Sequence, residues 1–184
     1  DPEHKTDANS IMDINGNVAT LHGYTGFTTN QSCVLQIAME TPITEIWAEI
    51  IEIPGQDLQP MALVEATNDG YGVAVYDDIN EISYVMLYDY KCYFVCASEL
   101  YDVMVKDMAF VQNGVSGGPE IVTVGQHGIG QTSIIHFEVS NGAAAAEMLQ
   151  PLPNGTSSVG YAIKSDLSAL PGEYVVVSTN GGST

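Results

Sequence analysis

Basic residues are almost missing from this chain. Four lysines (Lys5, Lys91, Lys106, Lys164) and no arginine stand against 23 Asp plus Glu in 184 residues, a formal net charge of −19. Affinity for phosphate backbones and anionic lipid surfaces comes from Lys and Arg, so charge excludes nucleic acid and anionic membranes as partners. Cations, neutral sugars, peptides and other proteins remain. No apolar run reaches the roughly 18 residues of a membrane-spanning helix. Cysteine occurs three times, at Cys33, Cys92 and Cys96, so at least one thiol has no partner within the chain. On an extended strand Cys92 and Cys96 share a face about 13 Å apart, too far for a disulfide. Cys33–Cys92 and Cys33–Cys96 stay open as pairs, with three buried free thiols the expected state. The sequence has no His-Glu-x-x-His and no paired Cys-x-x-Cys, and Gly114-Val115-Ser116-Gly117-Gly118, which carries the letters Gly-x-Ser-x-Gly, reads as loop and not as a strand-to-helix elbow. Zinc therefore has no recognisable frame, and a hydrolase has no nucleophile elbow.

What is abundant is turn and strand chemistry. Asn-Gly occurs at 15–16, 113–114, 141–142, 154–155 and 180–181, and Asn68-Asp69-Gly70 adds a related site. Asn-Gly accepts positive φ at both central positions of the turn that matches hairpin twist. Between these signals lie short runs rich in Val, Ile, Tyr and Phe, such as Gly72–Tyr76, Ile82–Tyr88, Val103–Val111 and Ser133–Val139. The pattern predicts an all-β domain of antiparallel strands over 11–180, with tails at 1–10 and 181–184. The strands build either a partial β-propeller-like meander or a two-sheet β-sandwich. Ile43 to Ile51 fits helical and strand spacing alike, and its β-branched residues favour a strand. Ala143 to Leu149 is a good helix former stopped by Pro151 and Pro153, which predicts one helical turn or a loop.

Three apolar strands end on Asp: Val85–Asp89, Val103–Asp107 and Ala162–Asp166. The stretch VMVKDMAFVQNGVSGGPEIVTVGQHGIGQTSIIHFEV (103–139) reads as three antiparallel strands joined by turns. It resembles the blades of β-propeller-like surface proteins of Bacteroidetes-type bacteria, a likeness covering about Ile82 to Thr184. The resemblance implies repeated antiparallel meanders, and 184 residues hold about four blades of roughly 40–45 residues. A start without Met or signal-peptide layout suits a cleaved mature chain or a piece of a longer one. Together with the high Gly, Thr, Asn and Tyr content, this favours an extracellular or cell-surface location.

Candidate sites are few. Asp13-Ile14-Asn15-Gly16-Asn17 sets oxygen ligands at the first, third and fifth positions of a calcium-type loop. Val18 and Tyr24 then break that pattern, which leaves a hairpin turn as the plainer reading. Calcium is the one cofactor to consider, at Asp13, Asn15 and Asn17; Asp77-Asp78 with Glu81, and Asp102 with Asp107, are other oxygen-rich spots. Gly125-Gln126-His127-Gly128-Ile129-Gly130 is followed by a strand, so it lacks the helix N-terminus a phosphate cradle needs. His136 alternates with Ile134 and Glu138 and is expected to face solvent or a neighbouring strand. Tyrosines cluster at Tyr84, Tyr88, Tyr90, Tyr93 and Tyr101. Tyrosine gives amphipathic contact area suited to sugar or protein surfaces. Tyr84, Tyr88, Tyr93, Tyr101 and His127 are the candidate ligand-binding residues. The composite expectation is a non-enzymatic binding module for protein or glycan. The alternatives are a self-assembling fibre or surface-layer subunit pairing through strand edges, and a carbohydrate hydrolase with paired carboxylates.

Overall fold

The computed structural model describes residues 8–12, 16–25, 31–39, 45–66, 70–128, 130–140, 144–150, 158–165 and 174–180. These residues form strands and no helix, so no helix is long and apolar enough to cross a membrane. The first sheet is β1 (Ala8–Met12), β2 (Val18–Thr25), β3 (Gln31–Met39) and β4 (Glu45–Ile51). The second is β5 (Leu58–Glu65), β6 (Gly70–Asp77), β7 (Ile82–Asp89) and β8 (Phe94–Tyr101). The third is β9 (Val103–Val111), β10 (Glu120–His127), β11 (Gln131–Glu138) and β12 (Ala144–Gln150). The fourth holds β13 (Ser158–Ser165) and β14 (Tyr174–Asn180). Every pairing is between sequence neighbours and antiparallel, so each sheet is a meander. The meander repeats at roughly 50 residues, the size of one supersecondary unit.

The sheets stack face to face in chain order, like successive sandwiches. Between the first and second lie Leu21, Leu35, Ile37, Tyr71, Val73 and Tyr84. Between the second and third lie Ala74, Val85, Leu87, Ile121, Ile135 and Phe137. Between the third and fourth lie Val111, Val122, Val124, Ile134 and Ile163. The first strands β5, β9 and β13 each lie across the sheet before them, so the stack fans out from its first strands. Each of these three carries a register shift, at Pro60/Ala62, opposite Val124/Gly125 and at Gly160/Ala162. A bulge flips which side chains face which way. Before it, Val103 and Val105 face the second sheet; after it, Met108 faces that way while Ala109 and Val111 face the fourth.

The turns rest largely on aspartate. Asn113-Gly114 lies in the β9–β10 connection, where Gly117 takes the positive φ (84°). Buried Asp77 ends β6 by accepting Ile79 N–H (3.1 Å) and Asn80 Nδ2 (2.6 Å), with Glu81 at φ 57°. Two expectations are corrected. Ala144–Gln150 is strand β12, not a helical turn, because the open edge of β11 offers a full ladder from Thr132↔Gln150 to Phe137↔Ala144. Helix propensity of under about 1 kcal/mol per residue does not outweigh that pairing. Cys92 is not in a strand but in the β7–β8 turn, at φ 62°. The described part of the Ile43–Ile51 segment, Glu45–Ile51, is strand β4, and β1 begins at Ala8, within the segment read as a tail.

All three cysteines are free. Cys33 donates its thiol to the Leu58 carbonyl (3.6 Å) and Cys92 to the Leu35 carbonyl (3.9 Å), both in the first interface. Burial pushes both thiols up to about 12, with the charges of Glu49 and Asp89 adding to Cys92. The thiolate is the reactive form. Alkylation of the native protein near pH 8, followed by mass spectrometry, is therefore expected to label half-buried Cys96 first. Cys33 and Cys92 are expected to react only after denaturation.

Candidate binding surface

The five sequence-derived ligand residues do not form one site. Tyr84 and Tyr88 are core side chains, 5% exposed, packed against the first sheet. Their parity on β7 points them into the interface, and Tyr84 Oη accepts Gln56 Nε2 at 2.7 Å. Tyr93 and Tyr101 are exposed, but they bracket β8 and so stand roughly 25 Å apart. Tyr101 Oη donates to Glu99 Oε2 at 2.5 Å, and that bond, then the Glu99 charge, raises its pKa. His127 shares the Tyr101 end, because Gly128 N–H binds the carbonyl of Asp102 (2.6 Å) in the link between β8 and β9. Of the calcium candidates, Asp13 and Asn15 lie outside the described residues, and Asn17 is buried. Among the described residues no group of three His, Cys, Asp or Glu side chains is placed to hold a metal. Asp107, expected as an oxygen-rich spot, instead accepts Met108 N–H (2.9 Å) and Ile163 N–H (3.0 Å), tying β9 to β13.

The Tyr93 end carries an aromatic patch that the sequence reading saw only in part. Asp89 closes β7, and its Oδ1 accepts the N–H groups of Lys91 (2.8 Å) and Tyr93 (2.9 Å). This Asx-type turn holds Cys92 in the left-handed region and inward. Tyr90, Tyr93 and Phe94 remain outside, 44, 62 and 56% exposed. Trp47 on β4 meets Tyr93 across the first and second sheets, ring centroids 6.4 Å apart at 55°. Lys91 Nζ sits 5.5 Å from the ring centres of both Trp47 and Tyr90, within cation–π range. Phe94 stands edge-on to Tyr88 at 5.8 Å, anchoring the patch to the core. Trp47 was the missed member; its being the single tryptophan was the available signal.

A cavity of about 160 Å³ lies nearby, lined by Gly70, Tyr71, Leu87, Tyr88, Val95 and Val139. Small-molecule sites usually enclose roughly 300–1,000 Å³, so this hollow is too small to take the role.

The other polar constellation is buried. Glu120, at the start of β10, is fully buried and accepts Val115 N–H (3.1 Å) and Ser116 N–H (2.6 Å). Its Oε2 pairs with His136 Nδ1 at 2.7 Å, and His136 Nε2 meets Tyr174 Oη at 2.9 Å. A neutral imidazole protonated at Nδ1 satisfies both contacts, donating to Glu120 and accepting from Tyr174. His136 is thus buried against β14, not turned to solvent. Burial alone would raise the Glu120 pKa, but the bonds from Ser116, His136 and Val115 outweigh it and lower it. Burial and the Glu120 charge raise Tyr174, the opposite of an activated hydroxyl. The trio joins the third sheet to the fourth. No protein-family model matches the chain, and no curated protein or solved structure is similar to it.

Proposed function

We propose that the chain is a non-enzymatic, extracellular or cell-surface binding module, a partial propeller-like stack that recognises neutral glycan through the Trp47–Tyr90–Lys91–Tyr93–Phe94 patch. The single observation that carries this is the set of large aromatic side chains exposed on a turn that Asp89 rigidly fixes. Aromatic faces offer flat apolar area to the C–H faces of pyranose rings. Lys91 supplies hydrogen-bond donors for sugar hydroxyls, and ring contacts already hold it in place. A chain of net charge −19 repels anionic partners, which favours uncharged sugars over acidic ones. Peptide recognition by the same patch is the competing outcome.

A panel of immobilised neutral oligosaccharides, acidic oligosaccharides and unstructured peptides tests the reading, with the Tyr93→Ala chain run in parallel. Neutral glycans are expected to retain the protein, and Tyr93→Ala to weaken retention by roughly tenfold, or about 1.4 kcal/mol. Retention only on peptides would move the assignment to protein recognition. Retention that Tyr93→Ala leaves unchanged would remove the patch from it.

A further inference from the structure

Among the described residues, the second and third sheets are covered on both faces, whereas the first and fourth each have one face with no neighbour in the stack. Strand register defines these two outer faces. On the first sheet the even-numbered residues point away from the core, among them Val18, Val34, Ala38, Ile46, Ala48 and Ile50. Ser10, Thr20, His22, Ser32 and Gln36 share that face, and the register also places Ala8, Met12 and Tyr24 on it. On the fourth sheet the outward residues are Ala162, Lys164, Val175 and Val177. Ile46 and Ile50 are 53 and 57% exposed, and Val175 and Val177 are 65 and 56% exposed.

Neither set contains an Asp or Glu, in a chain with 23 of them. Depletion of carboxylates with retention of β-branched residues is the composition of a covered interface core, not of a solvated face. The two faces also extend the existing stack in opposite directions, so each is placed to receive what the other offers.

We infer that copies of this chain associate head to tail, the outer face of the first sheet of one packing on the outer face of the fourth sheet of the next. The contact is heterologous, so it propagates into a ring or an open filament according to the rotation at each step. It uses sheet faces, where the alternative read from the sequence was pairing through strand edges. It is independent of the glycan reading, since Tyr93 and Phe94 lie on neither face.

Sedimentation velocity across a concentration range tests it. The mass is expected to rise above the 19.6 kDa of one chain, and more so at high salt, where repulsion between highly acidic copies is screened. Ile46→Asp/Ile50→Asp and Val175→Asp/Val177→Asp each abolish one face and are expected to be monomeric alone. Mixed, they are expected to form dimers and nothing larger, because one intact face of each kind remains. The substituted residues are exposed, so thermal melts should stay near the parent's. Where they do not, Ile50→Thr and Val175→Thr keep strand propensity and should weaken association by roughly tenfold. A parent chain that stays at 19.6 kDa throughout overturns the inference. So does a Val175→Asp/Val177→Asp chain that still dimerises alone, which would mean like faces pair.

Discussion

Glu120→Ala is expected to cost about 3 kcal/mol, the order of loss for removing one partner from a buried charged network. At 2–4 °C per kcal/mol for a chain of this size, the melting temperature should fall by roughly 6–12 °C. The substitution strands His136 Nδ1 and the amides of Val115 and Ser116 without their acceptor. Glu120→Gln keeps the shape and one acceptor oxygen and should lose less. The pH dependence has a definite sign. The folded pKa of Glu120 is depressed, so its contribution is present above the ordinary carboxylate range and disappears as pH falls through the folded value. Melting curves taken from neutral pH downward should converge for parent and Glu120→Gln only at the acid end.

Phe137→Ala should be at least as damaging, about 4 kcal/mol, because a buried aromatic leaves both lost transfer energy and a cavity. Phe137 is 2% exposed at the centre of the second interface, among Ala74, Leu87 and Ile121. That interface has little slack: a side chain at Gly72 would run into Ile121 and Val64. Surrounding side chains held this tightly cannot collapse into the space. Tyr93→Ala, by contrast, should move stability by no more than about 0.5 kcal/mol, the usual range for an exposed substitution. Denaturant titration of the two variants separates a residue that holds the fold from one available for binding.

The strands were legible because alternation and β-branched runs register local geometry. Gly72–Tyr76, Ile82–Tyr88 and Val103–Val111 all fall within strands of the structure. Which face each tyrosine took was not legible. In sheets covered on both sides, such as β6 and β7, apolar residues stand at odd and even positions alike, and parity ceases to distinguish core from surface. Tyr84 and Tyr88 therefore looked like Tyr93, although two are core and one crowns a turn. His136 was expected to face solvent or a neighbouring strand, and it packs on β14; which of the two was not legible, because its partners, Glu120 and Tyr174, lie 16 and 38 residues away. The Ala143–Leu149 run failed because the pairing edge that overrides its helix preference belongs to β11. Trp47 became part of a surface only when β4 was set beside the β7–β8 turn.

The central claim, that the Trp47–Tyr93 patch is a recognition surface, is tested most directly by Trp47 emission. The chain has one tryptophan, so every change in that signal reports on this place. Titration with a neutral oligosaccharide retained on the panel should give a saturable shift that Tyr93→Ala abolishes. Saturable binding by calorimetry with Trp47 emission unmoved, and with Tyr93→Ala binding as the parent does, would place recognition elsewhere on the molecule and contradict the account.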